Sequence, residues 1–168
     1  MEDQRGRQLV LSKQQARQKI ESYCAYQERS QQEVRNKLYE MGLRTADVEE
    51  VIAELIQTNF LNEERFALAY ASGKFRLKQW GRKKIRQGLK VKGVPDKLIS
   101  KALSSIEDSQ YVRTLADILA KKSSQLTEKH PAKRKNKLVQ YAISKGYETD
   151  LIFDTLKSSN LAKSGENF

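Results

Sequence analysis

Apolar residues recur along this chain at spacings of three and four, the mark of helices that bury one face. The pattern also repeats over a longer range. Gly42, Gly93 and Gly146 lie 51 and 53 residues apart, and each stands in the same apolar frame. Eight positions before them come Val34, Ile85 and Leu138, and four before come Leu38, Leu89 and Ala142. One after come Leu43, Val94 and Tyr147, six after Val48, Ile99 and Ile152, and ten after Ile52, Leu103 and Leu156. Such agreement indicates triplication of one supersecondary unit. Each unit reads as a helix, a glycine stop and a second helix packed back on the first, because glycine enters the left-handed conformation past a helix end without a Cβ clash. A further helix precedes each pair, with apolar residues four apart at Ile20/Cys24, Phe66/Tyr70 and Leu115/Leu119.

Local signals fix the boundaries. Ser12-x-x-Gln15 and Ser30-x-x-Glu33 are capping boxes, Thr45, Asn62 and Thr149 are N-cap candidates, and Pro95 and Pro131 suit a first helical turn. The expected helices lie near 13–27, 31–41, 46–58, 63–77, 82–92, 96–106, 109–126, 132–145 and 150–158. The fold class is therefore all-α: three tandem three-helix, helix-turn-helix-like repeats at 12–60, 61–107 and 108–158, with tails at 1–11 and 159–168. Tandem units contact mainly their neighbours, so an elongated, curved molecule is expected. A helix-turn-helix outline does not by itself assign DNA reading, since small helical bundles share it.

Composition narrows the class. The chain has 168 residues, with 38% hydrophobic and 32% charged, more polar than an average globular domain. Its longest unbroken apolar run, Phe66 to Ala71, is far short of the roughly 20 residues a bilayer requires. The opening Met1-Glu2-Asp3-Gln4-Arg5-Gly6-Arg7 lacks a secretory signal's apolar core, and a single cysteine excludes an intramolecular disulfide framework. A cytoplasmic protein without membrane contact is expected.

The net charge is +11, which favours a polyanionic partner. Charge is also segregated. From Thr45 to Glu64 there are six acids and no base, whereas Arg65 to Pro95 carries ten bases and no acid. The candidate contact residues fall in this second stretch: Lys74, Arg76, Lys78, Trp80, Arg82, Lys83, Lys84, Arg86, Lys90 and Lys92. On a helix beginning at Arg82, Ile85 and Leu89 share the buried face, and Arg82, Arg86 and Lys90 form a stripe beside it. A charge run is ordinarily a solvated face. This one lacks the interspersed opposite charge of a merely soluble surface, and points to a polyanion or an acidic protein surface. Trp80, the only tryptophan, suits stacking on a base, anchoring an interface, or packing the entry to the Arg82 helix. A second acid-free stretch holds Lys129, Lys133, Arg134, Lys135, Lys137 and Lys145.

Signals for catalysis are weak. His130, the only histidine, precedes Pro131 and belongs to a turn, and Cys24 falls on the buried stripe of the first helix. No phosphate loop or dinucleotide-binding turn occurs. Glu49, Glu50, Glu63 and Glu64 would have to supply any nuclease-type metal site, and acids clustered on helices are usually solvated. No catalytic residue, cofactor or metal is expected.

Three segments together resemble the RecX family of recombinase regulators. They are Arg29-Ser30-x-x-Glu33-Val34-x-x-Lys37-Leu38, then Phe60-Leu61-Asn62-Glu63-x-Arg65-Phe66-Ala67-x-x-Tyr70, then Gly81-x-x-Lys84-Ile85-x-x-x-Leu89-x-x-Lys92-Gly93-Val94. The resemblance runs over residues 12–158 and is strongest over 29–94; the third repeat matches by pattern more than by motif. It implies a non-enzymatic, usually inhibitory regulator of the RecA recombinase. Such a regulator lodges in the groove of the RecA–single-stranded-DNA filament and lowers its ATPase, strand exchange and stimulation of SOS-repressor cleavage. It also implies binding to single-stranded and double-stranded DNA, and three three-helix repeats; a monomer is expected. The alternative is a general nucleic-acid-binding module without a RecA partner, and a metal-dependent nuclease is a third.

Two outcomes are expected from the sequence. Phe66 and Tyr70 are assigned to the core, so Phe66→Ala should cost about 3–5 kcal/mol in denaturant unfolding. Reversing Arg82, Arg86 and Lys90 to Glu should abolish inhibition with helix content intact by circular dichroism.

Overall fold

A computed structural model describes residues 10–159 and 161, and among these the regular secondary structure is entirely helical. The elements are α1 (Lys13–Tyr26), α2 (Gln31–Glu40), α3 (Thr45–Gln57), α4 (Glu63–Lys78), α5 (Arg82–Val91), α6 (Asp96–Ser104), α7 (Asp108–Gln125), α8 (Pro131–Lys145) and α9 (Thr149–Ser159). They form three successive units of three. Most of both expected tails lies outside the described residues, but Leu11 is pinned: its amide donates to the Met41 carbonyl at 3.1 Å.

The local chemistry works largely as the sequence predicts. Ser12 and Ser30 each close a reciprocal capping box, with Gln15 and Glu33, and Asn62 accepts from the Arg65 amide at 2.9 Å. Pro131 opens α8. Three details differ. Arg44, not Thr45, is the N-cap of α3, and the Thr45 hydroxyl accepts from Tyr39 Oη at 3.1 Å instead. Thr149 is the first residue of α9 rather than its cap, and Glu148 supplies the carbonyl to Ile152. Pro95 sits one position earlier than expected, as the N-cap of α6.

The three repeat glycines have φ of +90°, +75° and +97° at Gly42, Gly93 and Gly146. In each case the next residue's amide reaches back five positions, from Leu43 to Leu38, Val94 to Leu89 and Tyr147 to Ala142. This is one Schellman turn used three times, and the apolar residue on each side of it is buried. The triplication is thus a repeated way of stopping a helix and turning the next one back across it.

The apolar residues divide into two cores. Unit 1 has its own, from Ala16, Ile20 and Cys24 through Val34 and Leu38 to Leu55 and Leu61. Units 2 and 3 share one that runs from Phe66 to Leu156. Phe66 is buried in it, whereas Tyr70 is only half-buried, so Tyr70 belongs to the rim: its phenol reaches over Gly88 of α5.

The joint between units 2 and 3 is close and largely backbone-made. α5 begins at Gly81 with no side-chain cap and carries Arg82, Lys83 and Lys84 in its first turn, the wrong sign for a helix N-terminus. The end of α8 supplies what is missing. The Gly81 amide donates to the Lys145 carbonyl at 2.7 Å, and the Lys83 amide to the Gly146 carbonyl at 3.0 Å. A Cβ on Gly81 would lie 2.3 Å from the Gly146 carbonyl, and one on Gly146 would lie 2.4 Å from the Lys84 Cβ. Aromatic rings brace the contact, with centroids 5.9 Å apart for Phe75–Tyr111 and 5.0 Å for Tyr111–Tyr147. Tyr111 accepts from the Arg82 amide and donates to Glu148, and Tyr147 donates to the Gln79 carbonyl. Burial holds both phenols far above their ordinary pKa. The Arg82 guanidinium stacks 4.1 Å over the Tyr111 ring and donates to the Ile106 carbonyl and Asp108.

The joint between units 1 and 2 is polar. Glu28 pairs with Arg65 at 2.6 Å, and Glu33 with Lys92 at 2.7 Å. Arg65 also holds the carbonyl and side chain of Asn59, a linker residue with φ of +62°. In the orientation that satisfies its surroundings, the Gln32 amide group donates to the Val91 and Lys92 carbonyls at 3.1 Å.

Glycine substitutions separate these roles. Gly81→Ala should destabilise by about 1–3 kcal/mol, because the added methyl meets backbone and not a movable side chain. Gly73→Ala, inside α4 with open space around it, should stabilise by about 0.5–1 kcal/mol. Urea unfolding of both variants measures the contrast. Arg82→Ala should also destabilise, by about 1–3 kcal/mol, through its lost hydrogen bonds and ring contact.

Candidate polyanion interface

Basic residues are distributed unequally among the units. Residues 12–60 contain 7 Lys and Arg against 8 Asp and Glu, residues 61–107 contain 12 against 4, and residues 108–158 contain 10 against 6. Unit 1 also neutralises itself: Lys13 pairs with Glu50, Arg17 with Glu54 and Arg35 with Glu49, at 2.6–2.9 Å. The excess positive charge therefore belongs to units 2 and 3.

The ten candidate residues separate into three groups. Arg82 and Lys92 are engaged in joints, as described, and Lys90 has only a loose pairing with Asp96 at 3.9 Å. Because Arg82 ties α5 to α7, reversing it together with Arg86 and Lys90 would loosen the joint as well as change the surface. A cleaner charge reversal uses Lys83, Arg86 and Lys90. Arg76 and Lys83 are exposed and Arg86 is half-buried, with no carboxylate partner among the described residues. Lys83 and Arg86 border two grooves: one with Ser100 and Ser104 of α6 and the carboxylates Glu107, Asp108 and Glu148, the other with Lys84, Ile143 and Ser144 and no acid.

The third group surrounds Trp80, which is half-buried against the core shared by units 2 and 3. The Lys74 and Lys84 ammonium groups lie 4.8 and 4.7 Å from its ring, an arrangement favoured by the aromatic quadrupole. Trp80 thus packs at the entry to α5, with cations against its ring. Next to it are Lys78 and Lys145. The Lys145 ammonium donates to the Lys78 carbonyl at 3.0 Å, and the Lys84 ammonium to the Ser144 carbonyl at 3.5 Å. Burial, then the charges of Lys84 and Lys78, push the Lys145 pKa below its ordinary value.

Lys145 lay in the second acid-free stretch, and nothing in its sequence neighbourhood separates it from the other bases there. The rest of that stretch is partly structural. Arg134 is buried and donates to Ser123 and to the Glu128 carbonyl, clamping the end of α7, and Lys137 pairs with Glu128.

Groups considered for catalysis are dispersed or engaged. Cys24 is buried in the unit 1 core, and desolvation pushes its thiol up to about 11. His130 is the exposed N-cap of α8. Glu49 pairs with Arg35, Glu50 with Lys13 and Glu64 with Lys101. Among the described residues no cluster of three His, Cys, Asp or Glu is placed to hold a metal ion, and no helix is long and apolar enough to cross a membrane.

Comparison with known proteins agrees with this architecture unit by unit. Residues 16–55, 62–103 and 108–156 match the first, second and third three-helix domains of RecX. A protein of Bacillus mycoides named Regulatory protein RecX is 28% identical over 131 residues, covering 78% of this chain and 48% of that protein. One of the same name from Clostridium botulinum is 36% identical over 134 residues, covering 78% of this chain and 62% of that one. The chain thus spans about half to two thirds of the length of these relatives. The crystal structure of RecX from Lactobacillus salivarius superposes with a TM-score of 0.82 at 23% identity, covering 89% of this chain and 97% of that one. With all three domain types present in order, each on one of the observed helical units, the chain belongs to the RecX family of regulatory proteins.

Proposed function

We propose that this protein binds the RecA–single-stranded-DNA filament and lowers its ATPase, strand-exchange and coprotease activities, through the basic face of units 2 and 3. The observation that carries this reading is the concentration of unpaired bases on a two-unit block, in a chain of a regulatory family. The contact surface comprises Arg76, Lys83, Arg86 and the lysines around Trp80, with Arg82 and Lys92 holding the geometry. No catalytic group, metal or cofactor takes part. The protein acts in the cytoplasm as a monomer made of repeats 12–60, 61–107 and 108–158, and touches single-stranded or double-stranded DNA where the filament exposes it.

A protein that simply preferred assembled filament would stabilise it by linkage. Inhibition therefore requires blocked growth at filament ends or preference for a distorted filament state. The test is the single-stranded-DNA-dependent ATPase of the cognate RecA with this protein titrated in. The expected result is inhibition well below one molecule per RecA monomer, lost when Lys83, Arg86 and Lys90 are all reversed to Glu while the melting temperature changes little. Inhibition only at DNA-saturating concentrations would favour the second reading, a nucleic-acid-binding module without a RecA partner, which the charge of unit 2 also suits. Such binding should weaken steeply with salt, because each phosphate contact releases counterions.

A further inference from the structure

The internal repeat lets one joint be compared with the other, position by position. In the frame set by Gly42, Gly93 and Gly146, Glu33 of unit 1 corresponds to Lys84 of unit 2, and Lys92 of unit 2 to Lys145 of unit 3. The docking is also equivalent. At each joint the C-terminal carbonyls of one unit's middle helix meet the first turn of the preceding unit's middle helix: Val91 and Lys92 against Gln32, and Lys145 and Gly146 against Gly81 and Lys83.

At the first joint this geometry closes an ion pair, Glu33 with Lys92 at 2.7 Å. At the second, both equivalent positions are lysine and Lys78 adds a third. None of the three has a carboxylate within ion-pairing distance among the described residues. The Gly81–Gly146 contact and the shared aromatic core hold the backbones that carry them close together. The Lys84 and Lys145 ammonium groups hydrogen-bond only to backbone carbonyls, Lys84 also lying against the Trp80 ring, which leaves donors on each, since an ammonium has three. The place that a carboxylate occupies at the first joint is therefore taken by the Lys84 ammonium at the second, with Lys78 and Lys145 close enough to share its field.

We propose that Lys78, Lys84 and Lys145 form a phosphate-binding site at the joint of units 2 and 3, and that the phosphate belongs to the backbone of a nucleic-acid strand. The strand is favoured over a free anion because the positive track continues beyond the joint. On the α8 side Lys83 and Arg86 line the adjoining groove with Lys84, and no acid lines that groove; Glu107, Asp108 and Glu148 lie in the separate groove toward α6 and α7. A single small anion would leave those bases unanswered, whereas a strand presents a phosphate at every step.

Trp80 reports on the site, since it is the only tryptophan and its ring lies 4.7 Å from the Lys84 ammonium. Titrating the full chain with a short oligothymidylate at low ionic strength should change its fluorescence saturably. Lys84→Glu recreates at this joint the acid–base pairing of Glu33 with Lys92. It should raise the melting temperature while weakening oligothymidylate binding about tenfold or more, the size of a lost charge-assisted hydrogen bond. Lys145→Met, which keeps the aliphatic stem, should weaken binding without that gain in stability. Lys157→Glu, exposed on α9, makes the same change in net charge as Lys84→Glu and should weaken binding far less. Equal losses from Lys84→Glu and Lys157→Glu, or unchanged binding by Lys84→Glu and Lys145→Met, would overturn the site. Inorganic pyrophosphate binding as tightly as the oligothymidylate would overturn its assignment to a strand. No recombinase is present in this experiment, so its failure leaves the RecA reading standing.

Discussion

The contact of Gly81 with Gly146 sets the geometry on which the basic half of this molecule rests. A helix that begins with three bases and no side-chain cap is poorly founded by itself, because its exposed N–H groups and its side chains carry the same sign. Here the carbonyls at the end of α8 meet those N–H groups directly. The approach is possible only because neither residue has a Cβ. Once it is made, the Tyr111 and Tyr147 rings close over the joint, and the bases of α5 are held in a fixed array instead of drifting apart.

The two joints solve one packing problem with different chemistry. The first relies on ion pairs and side-chain amide donors between separate cores. The second relies on backbone hydrogen bonds and a continuous apolar interior. Half-exposed ion pairs contribute little stability, so the first joint is the softer one. The arrangement gives the proposed regulator a firm basic block and a nearly neutral unit 1 attached more loosely.

Much of this was legible in the sequence because the signals are local. A glycine past a helix end, a serine followed three residues later by Glu or Gln, and apolar spacing of three and four each act within a turn or two, and all nine helices among the described residues lie within two residues of where those signals put them. What was not legible depends on residues far apart. Arg82 reads as one member of a surface stripe, yet its side chain is committed to Ile106, Asp108 and Tyr111. Lys145 reads as one base among six, and only the docking of α8 on α5 brings it to Lys84. Gly81 shows the same limit: its neighbours mark a helix start, while its real constraint comes from a residue 65 positions later.

The division into two cores governs how the chain comes apart as well as how it holds together. Cooperative opening follows contiguous buried contacts, and these break between Leu61 and Phe66. Amide protons of α1–α3 and of α4–α9 should therefore fall into two classes of hydrogen exchange. Unit 1 has its own core and should open separately. Units 2 and 3 share a buried cluster, so opening of one half of the basic face should be felt by the other.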